Sequence, residues 1–176
     1  MSLDALGPYS VRALRGMARA WQPTASLGTQ VMAAQLDSPD GTKQDLLPTA
    51  FRDLAEGRPV VLLWRETPTF GHFVLFHWRT LPAGRKEIEF FDPLGVSSDG
   101  KSDATWEGYM DDPRGLNGGG LRPYLQQLDR DGVALSYNQP SNGPQNRKAD
   151  SCGLWCLLRA AVPSLSPTEF AKSRDK

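Results

Sequence analysis

The clearest pattern of apolar and polar positions lies in the middle of the chain. Residues 60–64 (VVLLW) form a short apolar run, the mark of a buried strand. Residues 72–78 (HFVLFHW) are aromatic and β-branched, which suits a second strand. A turn at Pro82-Ala83-Gly84 leads to residues 87–91 (EIEFF), a third strand with polar and apolar positions alternating, which stops at Asp92-Pro93. These three runs predict an antiparallel meander. Around them the period lengthens to that of a helix. Residues 2–20 place Leu3, Leu6, Val11, Leu14 and Met17 at helical spacing, with a break at Gly7-Pro8. Residues 21–47 are rich in Pro, Gly, Ser and Thr and read as irregular. A short helix is expected over 48–56, ending at Gly57.

The second half follows the same logic. Residues 95–119 are polar and rich in Gly and Asp, so they read as a surface loop. Residues 121–131 place Leu121, Tyr124, Leu125 and Leu128 on one helical face, and Gly132 ends that helix. A fourth strand is expected at 133–137, then a Pro/Asn/Gly loop over 138–149. Asp150 or Ser151 is placed to cap a strongly apolar helix at 152–162, which Pro163 terminates. Ser166-Pro167 opens a last short helix, because proline suits a first helical position. The fold class is α+β: a small, mainly antiparallel sheet packed against helices, in one domain spanning residues 1–176. Residues 1–57 are its N-terminal helical and irregular segment, 58–162 its core, and 163–176 its tail.

Charge and cysteine usage narrow the function. Lys+Arg and Asp+Glu are both 20, so the formal charge is zero; this argues against a general nucleic-acid binder. No apolar run approaches the ~20 residues that span a bilayer. The N-terminus has no apolar signal-peptide core, so export through a signal peptide is not expected. The two cysteines, Cys152 and Cys156, sit four apart on the last long helix, a separation that suits a disulfide poorly. A reducing, intracellular setting follows. Two Cys and two His, so spaced, do not make a structural zinc site.

Four residues carry the candidate chemistry. Cys152 opens a helix, where a thiol meets the positive end of the helix dipole and free N–H groups; both favour the thiolate that a nucleophile needs. Gly153 beside it permits close approach of a substrate or another backbone. Cys156, one turn deeper, reads as a small buried hydrophobe. His72 stands at a strand mouth after Gly71, where it can project into a cleft. His77 lies an odd number of residues on and so faces the other way. If the second and third strands form a hairpin, the end of the third returns beside the start of the second. That brings Asp92 to His72, where a carboxylate fixes the imidazole tautomer and stabilises the imidazolium. Gln145, in the loop before Cys152, offers an amide that could join the Cys152 N–H in binding an oxyanion.

The order His72, Asp92, Gln145, Cys152 resembles the adenovirus-protease (adenain) and ubiquitin-like-protease clan of cysteine peptidases. The stretches that carry the likeness are GHFVLFHW from Gly71, FFDPLG from Phe90, and Gln145 through SCGLWC ending at Cys156. They fall within residues 58–162. The resemblance implies a papain-like arrangement with the nucleophile at the start of a central helix. It implies attack by Cys152 with His72 as base, an oxyanion hole from Gln145 and the Cys152 N–H, and a preference for small residues before the cut. A narrow slot walled by Phe73 and Trp155 would suit that preference. Phe73 stands where the family often has Trp, and the stretch after Cys152 is short beside adenain's. Adenain's disulfide-tethered peptide cofactor and its DNA are not carried over, because no third cysteine offers a tether and the charge is neutral; no cofactor and no metal are expected. Expected partners are protein or peptide substrates: capsid or precursor proteins for a viral maturation protease acting in a host cell or virion, or ubiquitin-like proteins for a deconjugating enzyme, such as a bacterial effector. A YopJ-like acyltransferase shares the His–acid–Cys order, and an inactive binding module stands as a further alternative.

Overall fold

In chain order the elements are α1 (Val11–Ala20), β1 (Gln30–Ala33), β2 (Gln35–Asp37), β3 (Lys43–Asp45), α2 (Leu47–Ala55), β4 (Val60–Arg65), β5 (Gly71–Thr80), β6 (Lys86–Phe91), α3 (Trp106–Asp111), α4 (Arg122–Arg130), β7 (Ala134–Tyr137), α5 (Cys152–Ala161) and α6 (Pro167–Ser173). The computed structural model describes residues 10–20, 28–95, 106–137 and 151–173. The three central apolar runs are β4, β5 and β6, paired antiparallel as the meander predicts. The whole sheet is mixed rather than mainly antiparallel. Its order is β1-β4-β5-β6-β7, and both outer strands run parallel to their neighbours. The cause is in the connections: α2 lies between β1 and β4, and α3 and α4 lie between β6 and β7, and a crossover containing a helix returns the chain in the same direction. A separate hairpin, β2–β3, precedes α2.

Strand alternation sorts the core into two halves. Val60, Leu62, Trp64, Val74, Phe76, Ile88 and Phe90 face α2, α3 and α4, meeting Leu47, Leu54, Tyr109 and Leu125. Val61, Phe73, Leu75 and Phe91 face α1, α5 and α6, meeting Leu14, Leu154, Trp155 and Phe170. The α+β class holds, with helices on both faces.

Three expectations are corrected. The 21–47 stretch contains β1, β2 and β3; four residues of Gln-Val-Met-Ala are too few to display a period, yet Val31, Met32 and Ala33 are buried. The 95–119 stretch contains α3, whose Tyr109 and Met110 are buried in the core. Ser151 stands at the cap position of α5, but its side chain makes no capping hydrogen bond, and Asp150, the alternative, lies outside the described residues. Of the expected N-terminal helix, α1 is present, and residues 2–9 lie outside the described residues.

Helix α5 is held to the sheet by charge as well as by apolar packing. Arg159 is fully buried and bonds Glu89 through both carboxylate oxygens, Nε to Oε1 at 2.9 Å and Nη2 to Oε2 at 2.7 Å. It also donates to the carbonyls of Val162 and Leu165, which fastens the α5–α6 turn. Arg79 adds an ion pair to Glu89 and another to Glu87, each at 3.1 Å. Burial pushes the Glu89 carboxyl up, but neighbouring His77 and Arg159 outweigh it and hold it at about 2.

Removing Arg159 leaves the buried Glu89 charge only partly compensated, by Arg79 alone among the described ion pairs with arginine. Arg159→Met is therefore expected to lower stability by about 3–5 kcal/mol in urea unfolding at neutral pH. A depressed carboxylate stabilises above its ordinary value and loses that contribution as pH falls through its folded one. The gap between wild type and variant should thus narrow from about pH 4.5 toward 2; a gap that stays constant over this range would refute the assignment.

Candidate active site

The site forms where both faces of the sheet reach the same end. Helix α5 brings Cys152 from one face, at the first residue of a ten-residue helix. Strand β5 supplies His72 at its second position, and Asp92 follows the last residue of β6. Phe91 pairs with Leu75, so β6 leaves the ladder before reaching the mouth of β5. The peptide groups of Phe73 are taken up by α5 instead. The Phe73 N–H donates to the Cys152 sulfur at 3.4 Å, and the Cys156 thiol donates to the Phe73 carbonyl, also at 3.4 Å. The two sulfurs stand in for a strand neighbour and set α5 against β5 in one register.

The hairpin argument for Asp92 is met in the geometry. His72 Nε2–H donates to Asp92 Oδ1 at 2.6 Å, between side chains that are nearly or fully buried. With Nε2 engaged, Nδ1 is the nitrogen left to exchange a proton with Cys152, which lies close enough to the ring to raise its pKa. Asp92 also accepts from the Leu94 N–H at 2.9 Å and the Tyr109 hydroxyl at 2.7 Å. Burial pushes the Asp92 carboxyl up; the His72 charge and these hydrogen bonds outweigh it and hold it below the usual range. Burial pulls His72 down, but the charge and hydrogen bond of Asp92, joined by Cys152, raise it well above its ordinary value. The two directions agree: the pair is an imidazolium on a carboxylate. A thiol at a helix start beside such an imidazole is the pairing that nucleophilic catalysis requires.

The other expected residues divide. His77 lies on the α5 face amid Glu89, Arg79 and Arg159, away from the site; its Nε2 is 3.6 Å from Glu89, and neither ring nitrogen has a hydrogen-bond partner among the described residues. Burial drives the Cys156 thiol well up, so it stays a neutral donor. Phe73 and Trp155, expected as walls of a slot, are each only 4% exposed and belong to the core, Trp155 lying edge-on to Phe170. Gly153, expected to permit close approach of a substrate or another backbone, admits α1 to α5, since a Cβ there would overlap the Leu14 side chain. In this packing their side chains fill the interior. Gln145 lies outside the described residues.

Two contributors were not anticipated. Tyr109 reaches Asp92 from α3; its signal was the helical spacing of Trp106, Tyr109 and Met110 within an otherwise polar stretch. Gly71 lets β4 and β5 close beside His72, because a Cβ there would sit 2.6 Å from the Trp64 carbonyl oxygen. Among the described residues no cluster of His, Cys, Asp and Glu could hold a metal ion, and no helix is long and apolar enough to cross a membrane. In comparison with known proteins, no family model matches the chain, and no curated protein matches it either.

The pair has a defined pH signature. A raised histidine stabilises fully below its ordinary 6.5 and ceases to as pH rises through its folded value; the lowered Asp92 stabilises above its ordinary 3.8. Both contributions are complete between those values. The stability advantage of wild type over His72→Gln should therefore be largest near pH 5 and shrink as pH rises above 6.5 through the raised His72 value, in chemical unfolding. An advantage that grows with alkalinity would contradict an imidazolium–carboxylate pair.

Proposed function

We propose that this chain is a cysteine peptidase of the adenovirus-protease and ubiquitin-like-protease type, hydrolysing peptide bonds in capsid or precursor proteins during viral or virus-like maturation. The supporting observation is the line from the Cys152 thiol through His72 to Asp92, whose 2.6 Å link lies in the interior. The order of these residues along the chain adds the likeness to that clan.

In this mechanism the Cys152 sulfur bonds to the scissile carbonyl carbon and the carbonyl electron pair moves onto oxygen. The Cys152 N–H at the start of α5 and the Gln145 amide are the proposed donors to that oxyanion. As the carbonyl re-forms, the C–N bond breaks and the His72 proton passes to the departing amine. A water molecule then attacks the thioester, gives its proton to His72, and releases the acid and the thiolate. Asp92 keeps the imidazole in one tautomer and orientation throughout.

The test is turnover of a peptide library by wild type and variants. Cys152→Ala and His72→Ala should abolish cleavage with the fold retained, and His77→Ala should affect mainly stability. Asp92→Asn should slow the reaction, and Gln145→Ala should lower the rate by about 10²–10³. Activity surviving in Cys152→Ala would sink the mechanism. Labelling of Cys152 by ubiquitin-like C-terminal probes would move the substrate to ubiquitin-like conjugates, and acetyl transfer from acetyl-CoA without cleavage would move the reaction to acyl transfer.

A further inference from the structure

The polar stretch between β6 and α4 does more than connect them. Its helix α3 carries Tyr109, a side chain only 1% exposed, packed edge-on to Trp64 and Phe90 with ring centroids 5.3 and 5.1 Å away. The ring alone would serve as core. Its hydroxyl, however, donates to Asp92 Oδ2 at 2.7 Å, on the carboxylate whose Oδ1 holds His72. Burial, then the Asp92 charge, push the phenol well above its ordinary value, so it remains a donor at every working pH.

The same segment grips the sheet at a second point. β1 pairs with β4 only as far as Leu63, and Asn117 takes over that edge two residues on. Its Oδ1 accepts from the Arg65 N–H at 2.7 Å, and its Nδ2 donates to the Arg65 carbonyl at 3.0 Å. Arg65 pairs with Gly71, the residue before His72. Asp112 ties the two grips together, accepting from the backbone N–H of Leu116, Asn117 and Gly119 and from the Asn117 amide. The Leu121 N–H donates to the Tyr109 carbonyl and closes the segment on itself.

We infer that Tyr109 is a positioning residue of the proposed catalytic line, holding Asp92 ionised and aimed at His72 from a segment clamped to β4 by Asn117. The inference rests on the peptidase reading for its bearing on turnover, and on geometry alone for its effect on the His72–Asp92 pair. The titratable groups facing that pair are Cys152 and Cys156 from α5 and Tyr109 itself, with Glu66 near the phenol.

The experiment follows the His72 Nε2–H proton by NMR as pH falls, in wild type, Tyr109→Phe and a chain bearing 3-fluorotyrosine at position 109. Loss of the Asp92 bond marks protonation of the carboxylate. Tyr109→Phe keeps the ring packing and removes one hydrogen bond to a charged group, so the transition should move up by about one to two pH units. The fluorinated phenol is a stronger donor of nearly the same shape and should move it down. Met110→Ala, on the same helix and losing a side chain that cannot donate to Asp92, gives a destabilised reference that should leave the transition in place. Overlapping titrations in wild type and Tyr109→Phe, or an equal shift in Met110→Ala, would overturn the inference. Should the phenylalanine variant not fold, the direction of the fluorotyrosine shift decides alone. Peptide turnover is measured alongside: an inactive wild type with the expected shifts removes the peptidase reading and leaves the Tyr109–Asp92–His72 linkage standing.

Discussion

A carboxylate kept ionised away from bulk solvent is the constraint on which the site depends. Asp92 is fully buried, and an isolated buried charge is costly enough that the group would neutralise. It stays charged because donors converge on it from three directions: the imidazole of β5, the backbone N–H of Leu94, and the phenol of α3. Each donor is fixed by an element with its own reason to be there. The sheet fixes His72, the turn after β6 fixes Leu94, and aromatic packing fixes Tyr109. The result is a His72 ring held in one orientation, with Nε2 committed to Asp92.

A second ionic centre does the complementary task further along α5. Glu89 and Arg159 are both fully buried and bonded through two parallel contacts. Such a pair adds little net stability over apolar packing, but it accepts only one alignment. Together with the sulfur contacts to Phe73, it sets the position of α5 along β5 at two places, so Cys152 arrives at the sheet end with little freedom to slide.

Much of this was legible in the chain. The meander could be read from three apolar runs, and simple hairpin geometry brought Asp92 back to His72. The odd spacing of His72 and His77 separated them onto opposite faces. Cys152 was visible as a cysteine opening an apolar helix. The rest needed three dimensions. Four residues of β1 carry no measurable period. The single turn and a half of α3 hid Tyr109 among Gly and Asp. Arg159 is the one charge in α5, but its partner Glu89 lies 70 residues away, and nothing local pairs them. Phe73 and Trp155 follow His72 and Cys152 in the chain and suggested the walls of a slot; neighbours of a buried helix start are mostly buried themselves, and both side chains pack in the core.

The spacing of the two cysteines also bears on oxidative chemistry. Side chains four apart on a helix have Cβ atoms about 5–6 Å apart, whereas a disulfide needs about 3.5–4.5 Å. The chain has no third cysteine, and the Cys156 thiol is committed to the Phe73 carbonyl. A sulfenic acid formed on Cys152 therefore has no resolving thiol among residues 1–176. Its rescue depends on an outside thiol such as glutathione, and without one it advances to the sulfinic state, which is irreversible for nearly all proteins. The register that holds the sulfur in place thus leaves it without an internal route back from oxidation.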